Sequence, residues 1–273
     1  MIGSIELSSY ALMLSVGGSV CFWLTFREIQ RRRLDPGPIL GLTVIAFVAG
    51  LIGARGLSLL IRWPAYSEQR WWTLLALWDR GGMALYGGLI LAAAAGLVYL
   101  RLHRLPAWDT ADTLVAAWVP FLVMLRIGCF LNGCCYGRPT TGVFGIVAGG
   151  GPNSVNFGIR SHPAQLYDAA ALLAIFALLW WMRSRRRFEG QLAVTFLAAY
   201  PAWRLFHETL RGDPWVRLQF GRLGVVTLNQ LISVALIVGA AGAGLVLYAG
   251  GAFGPDRRRI LSASTPATPS GSE

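Results

Sequence analysis

Arg126-Ile-Gly-Cys-Phe-Leu-Asn-Gly-Cys-Cys-Tyr-Gly-Arg138 closes an apolar run that begins near residue 111, and its reading decides the fold. A helix needs about 20 mostly apolar residues to cross a hydrocarbon core. An arginine inside such a run is costly, and its usual reason is an anionic substrate, a proton relay or an ion pair. The exit through Gly128, Asn132, Gly133 and Gly137 is polar and small, so the backbone there can approach a ligand closely.

The rest of the chain has the same character. Of its 273 residues, 55% are hydrophobic and 14% charged, whereas soluble domains carry about 25% charged residues; the mean hydropathy is +0.54. Seven apolar segments recur, at roughly 9–26, 39–61, 81–100, 111–131, 163–182, 190–210 and 225–249. The fold class expected is an all-α polytopic membrane protein with seven transmembrane helices. Residues 1–255 would form one transmembrane domain, and 256–273 a basic, then Ser/Thr/Pro-rich tail too poor in apolar residues to fold alone. No internal repeat is evident.

All 24 basic residues are arginine and the net charge is +11. Arg27 and Arg31–Arg33 follow the first segment, Arg101 and Arg104 the third, Arg183 and Arg185–Arg187 the fifth, and Arg257–Arg259 the seventh. By the positive-inside rule these exits are cytoplasmic, which puts the N-terminus in the periplasm and the C-terminus in the cytoplasm. The first segment lacks a positive leader and a small-residue cleavage site, so it is expected to remain in the mature protein. The outer loops, about 62–80, 132–162 and 211–224, hold the interfacial aromatics Trp63, Trp71, Trp72 and Trp215. Chemistry is therefore expected to face outward. A positive balance on a membrane protein reports topology first, so nucleic acid is not an expected partner.

Four clusters carry possible chemistry. Arg126 presents a rigid fork of donors suited to phosphate oxygens, against the alternative of an arginine snorkelling to the headgroups. Tyr200, Arg204, Glu208 and Arg211 fall on one helix face, with His207 beside it; an Arg204–Glu208 pair at i, i+4 is the plain structural reading. Tyr86-Gly87-Gly88 follows Asp79-Arg80-Gly81-Gly82, and paired glycines commonly serve helix packing. His162-Pro163-Ala164-Gln165-Leu166-Tyr167-Asp168 places a proline at a helix start, with His162 as a cap or a polar ligand. Cys21, Cys129, Cys134 and Cys135 form no C-x-x-C or spaced metal motif, so apolar packing is expected for them, with no metal and no cofactor.

At these residues the chain resembles the prolipoprotein diacylglyceryl transferase family, bacterial inner-membrane enzymes of lipoprotein maturation. The resemblance runs from about Tyr10 to Tyr248 and comprises a tyrosine in the first segment, Trp78-Asp79-x-Gly-Gly-Met, Gly87-Gly88, Arg-x-Gly-x-Phe-x-Asn-Gly, His-Pro-x-Gln-Leu-Tyr and Tyr-x-x-x-Arg-x-x-x-Glu-x-x-Arg. It implies transfer of a diacylglyceryl group from phosphatidylglycerol to the lipobox cysteine thiol of a prolipoprotein, with glycerol phosphate leaving. Carried over by position, Arg126 and Arg204 would hold the lipid phosphate and Glu208 would orient Arg204. Asn132 and Gly137 would shape the head-group site, and Tyr10 and Tyr200 would line the cavity. Gly87, Gly88, Cys129, His162, Gln165, Tyr167 and Arg211 would complete the substrate site, with Tyr86 in the catalytic set. Two positions depart from the family pattern: Tyr86 stands where the family has histidine, and Cys129 where the signature has asparagine. The alternative function is a catalytically altered relative that binds or transports phospholipid. The base would come from His162, His207 or Glu208, or little base would be needed because lipobox thiols ionise near the arginines.

Overall fold

A computed structural model of the chain describes residues 9–61, 63, 85–147, 158–212, 217–219 and 225–249. Among these residues seven helices dominate: α1 (Ser9–Arg32), α2 (Pro36–Ile61), α3 (Leu85–Leu102), α4 (Ala107–Leu131), α5 (Ala164–Met182), α6 (Gln191–Leu210) and α7 (Leu228–Ala249). Each coincides with one expected segment. Five of them, α1, α2, α4, α5 and α7, are long and apolar enough to cross a membrane. The apolar part of α3 is shorter, and α6 carries the polar stripe through Arg204 and Glu208.

The ends differ from expectation in two places. α1 runs on to Arg32 because its last turn is tied by Glu28, whose carboxylate takes Arg31 and Arg32 from the same helix. Before α7 the chain is extended: Val225–Thr227 (β4) pairs antiparallel with Arg217–Gln219 (β3). A second antiparallel ribbon joins Ile146–Val147 (β1) to Arg160–Ser161 (β2).

Close approach of backbones, rather than exclusion of water, holds helices together in lipid. α2 and α3 meet through glycines. A Cβ on Gly88 would lie 2.8 Å from the Gly50 carbonyl oxygen, and Gly53 and Gly87 face each other more closely still. α1 meets α4 at Gly17, where a Cβ would sit 2.9 Å from the Met124 Cβ. A buried core lies where α4, α5 and α6 converge, built from Val119, Val123, Leu172, Leu179 and Leu192. The opposite pattern marks α7, where Val238, Leu245 and Val246 are exposed on an apolar helix, as suits a helix bathed in hydrocarbon.

Polar groups gather at the two ends of this bundle. At the end holding the α1 C-terminus, Glu28 also takes Arg183 at 3.2 Å. Arg186 bridges Asp109 at 2.7 Å and Asp112 at 3.2 Å. Asp112 then caps α6 from α4, accepting the backbone N–H of Gly190 at 2.9 Å and of Ala193 at 3.0 Å. A helix N-terminus has four unpaired N–H groups, and here a carboxylate from a neighbouring helix satisfies two of them. The other end holds the clusters expected to carry chemistry.

Trp71, Trp72, Trp78 to Met83, Trp215 and the tail 256–273 lie outside the described residues. So does the side chain of Tyr86, whose backbone belongs to the first turn of α3.

Candidate active site

The site grows from α4 and α6 where they flank the start of α5. Pro201 stands inside α6. Lacking an N–H, a proline frees the carbonyl one turn earlier and loosens the ladder just before Arg204. Arg126 comes from the last turns of α4, Arg204 and Glu208 from the last turns of α6, and Asp168 from the first turns of α5.

Asp168 is the point on which both arginines converge. Arg126 Nε lies 2.6 Å from Asp168 Oδ2, and Arg204 Nη1 lies 3.9 Å from the same oxygen. Trp203 Nε1 donates to Oδ1 at 2.8 Å. The carboxylate is fully buried, which two guanidinium groups and an indole donor make tolerable. Arg126 Nη2 also donates to the Tyr200 hydroxyl at 3.2 Å, and the Tyr200 ring stacks on Phe196.

Arg204 is held from its own helix. Its Nη2 reaches Glu208 Oε2 at 3.2 Å, and Asn229 Nδ2 donates to Glu208 Oε1 at 2.9 Å. Arg204 Nη1 contacts His207 Nδ1 at 3.0 Å, and His207 Nε2 contacts the Ala164 carbonyl at 2.8 Å. A guanidinium only donates, so Nδ1 is the acceptor and the ring proton sits on Nε2. This assigns His207 a neutral, structural tautomer. The named contacts engage fewer than the five donors that each guanidinium carries. Among the described residues, Arg126 Nη1 and Arg204 Nε take no protein partner.

The rim is stitched by backbone. Gly137 N–H donates to the His162 carbonyl at 3.0 Å, Arg138 N–H to the Leu210 carbonyl at 2.8 Å, and Gly212 N–H to the Tyr136 carbonyl at 3.1 Å. Gly137 thus threads between the entry to α5 and the exit of α6. A Cβ there would lie 2.7 Å from the His162 Cβ and 3.0 Å from the Leu210 carbonyl oxygen, so only glycine fits. His162 Nδ1 pairs with the Tyr167 hydroxyl at 3.3 Å. Gln165 Nε2 donates to the Cys134 carbonyl at 2.7 Å, Asn132 caps α4, and Arg211 bridges to Gly137. Tyr10 of α1 packs against Gly128, where a Cβ would meet its ring at 3.2 Å.

Cys129, Cys134 and Cys135 converge, their sulfur atoms all within 4.8 Å of one another. Outside the helices the two loop thiols share protons unequally. Hydrogen bonds from Cys129 and then Cys134, with Arg211 and Arg126 nearby, hold Cys135 well below the usual thiol range. For Cys134 the Cys129 hydrogen bond favours the thiolate, but Cys135 and burial outweigh it and push the thiol up to about 11.

The family profile of prolipoprotein diacylglyceryl transferases matches residues 1–248. The chain belongs to this family. It is 31% identical over 258 residues to the phosphatidylglycerol–prolipoprotein diacylglyceryl transferase of Bordetella parapertussis, covering 90% of this chain and 92% of the relative. It is 32% identical over 239 residues to the enzyme of the same name from Chromohalobacter salexigens, covering 86% of each. With that of Clostridioides difficile the identity is 27% over 235 residues, covering 86% of this chain and 88% of the relative. The family and the long apolar helices make this a multi-pass membrane protein.

In this diacylglyceryl transferase family member the structure gathers Arg126, Arg204, Glu208 and Tyr200, with Tyr10, Asn132, Cys129, Gly137, His162, Gln165, Tyr167 and Arg211 around the same end. Gly87 and Gly88 lie at the α2–α3 contact. Sequence reading quoted Asp168 without a role and passed over Trp203, Asn229 and Arg55, the last buried on α2. The signal for Asp168 was available, since an acid one turn into an apolar helix needs a cationic partner. For Asn229 none was, because its partner lies 21 residues away on another helix.

Proposed function

We propose that this protein transfers the diacylglyceryl group of phosphatidylglycerol to the lipobox cysteine thiol of prolipoproteins at the outer face of a bacterial inner membrane. All seven helices cross that membrane, with the N-terminus outside; residues 1–255 form the catalytic domain and 256–273 a cytoplasmic tail. The observation that carries this reading is the meeting of Arg126 and Arg204, from two helices, over Asp168 with donors to spare. An anion the size of a phosphate is what those donors suit. The relatives bearing the transferase name support the substrates.

In the reaction the thiol sulfur forms a bond to the terminal glyceryl carbon as that carbon's bond to the phosphate oxygen breaks. Glycerol phosphate leaves with the electron pair, and the thiol gives up its proton. Arg126 and Arg204 stabilise the charge that grows on the leaving phosphate, and Glu208, itself fixed by Asn229, orients Arg204. His207 has both ring nitrogens committed, and Glu208 is ion-paired with Arg204, so we assign the thiol proton to His162. Tyr86, Tyr10 and Tyr200 line the cavity, and Asn132, Gly137, Gln165, Tyr167 and Arg211 shape its mouth.

Proteoliposomes containing phosphatidylglycerol and a lipobox peptide test the proposal. The wild-type protein should yield the thioether-linked diacylglyceryl peptide, seen by mass spectrometry. No such product from the folded wild-type protein at any pH would overturn it.

A further inference from the structure

Three thiols, far from any metal motif in their spacing, come together because of how the chain leaves α4. Cys129 sits on the last turn of that helix. The Cys134 N–H returns to the Cys129 carbonyl at 3.1 Å. Gly133 at φ 73° and Cys135 at φ 61° are both left-handed, and they turn the chain back on itself. A cysteine adopts that conformation at a cost, so the surroundings must hold it there. Gln165, buried on α5, fixes the Cys134 carbonyl.

Sulfur atoms bound to one small d10 cation at about 2.3 Å stand roughly 3.8–4.0 Å apart in tetrahedral or trigonal geometry. The three sulfurs here, all within 4.8 Å of one another, already stand near that spacing. Asn132 Nδ2, 3.8 Å from Cys134 Sγ, is a donor to the same sulfur, the kind of outer support that tunes thiolate ligands.

We infer that Cys129, Cys134 and Cys135 form a binding site for a thiophilic d10 cation, Zn(II) or Cu(I), one helical turn beyond Arg126. Soft thiolates select such ions over Mg(II) or Ca(II). Uptake forms three metal–sulfur bonds and releases to solvent the protons those thiols carried, so retention strengthens as pH rises. A vicinal Cys134–Cys135 disulfide has poor geometry, which leaves these two thiols free to turn toward Cys129.

The test uses the full-length protein in nanodiscs, kept reduced and equilibrated in separate arms with Zn(II) and with Cu(I), then stripped of loose metal with a weak chelator. Metal per chain is read by elemental mass spectrometry, and Cd(II) substitution gives a sulfur-to-metal charge-transfer band. Wild type and Cys21→Ser should retain one equivalent in at least one arm, and the arm that retains it names the ion. Cys129→Ser, Cys134→Ser and Cys135→Ser should each lose it, and Asn132→Ala should weaken it about tenfold. Equal retention by the triple serine variant, no retention in either arm, or a Cys129–Cys134 or Cys129–Cys135 disulfide in freshly isolated protein overturns the site. Metal retention is read without any transferase assay, so it stands or falls independently of the proposed reaction.

Discussion

The two ends of the helix bundle use the same ingredients, arginine and carboxylate, to opposite purposes. At the end holding the α1 C-terminus Glu28 takes Arg31, Arg32 and Arg183, while Arg186 bridges Asp109 and Asp112. The Asp112 carboxylate is further consumed by the first N–H groups of α6. At the opposite end two arginines converge on one carboxylate, and Arg126 and Arg204 keep donors that no described residue takes. Open donors occur at both ends, since Arg32 Nη2 is buried without a hydrogen-bond partner; what differs is that Asp112 also holds a helix N-terminus, whereas Arg126, Asp168 and Arg204 meet Tyr200, Trp203 and His207. The count of arginines does not separate the two cases, but the partner list does.

The largest expected effect falls at the Asp168 end. Arg126→Ala or Arg204→Ala should lower turnover per folded molecule in proteoliposomes by about 100–1,000-fold, the scale seen when one donor to a developing anion is removed. Near-wild-type turnover in either variant would break the contrast between the ends. Asp168→Asn should cost about 3 kcal/mol of stability, because it leaves two buried guanidinium groups facing each other without their anion. Unchanged denaturation of that variant would show that Asp168 is not the hub.

Gly137→Ala should lose about 1–3 kcal/mol through overpacking of the rim, read as a lower unfolding midpoint, since the new methyl meets the His162 Cβ and the Leu210 carbonyl. At the Glu28 end, Asp112→Ala should cost about 1–2 kcal/mol as a lost helix cap, with turnover per folded molecule unchanged. A selective loss of turnover there would mean that this network does more than hold helices. Smallest of all, Arg31→Ala should shift stability by less than about 1 kcal/mol, as its half-exposed pair with Glu28 is screened by water.

Much of the architecture was legible because period and charge are local properties. Each of the seven helices sits on an apolar segment, and the arginine runs at 31–33 and 183–187 lie at one end of the bundle, as expected of one membrane face. Arg126, Arg204 and Glu208 were legible as well, since a charge within an apolar helix is conspicuous whatever its surroundings. Gly87 and Gly88 illustrate the reverse. A glycine pair looks the same whether it admits a ligand or a neighbouring helix, and only the position of Gly50 and Gly53 tells which. His207 looked available as a base until the Ala164 carbonyl and Arg204 were found on its two nitrogens. The cysteines were read as apolar filler because their spacing matches no metal motif, yet two left-handed residues bring three sulfurs together.

The sequence by itself determined that this is a helical membrane protein of the diacylglyceryl transferase family and which arginines lie within its apolar segments, because hydropathy, charge and motif order are written residue by residue. Only the tertiary structure decided that Asp168 joins Arg126 to Arg204, that Asp112 caps a helix across the bundle, and that three thiols share one pocket. Those arrangements depend on which helices touch and at what height, and long-range packing of side chains leaves no periodic trace along the chain.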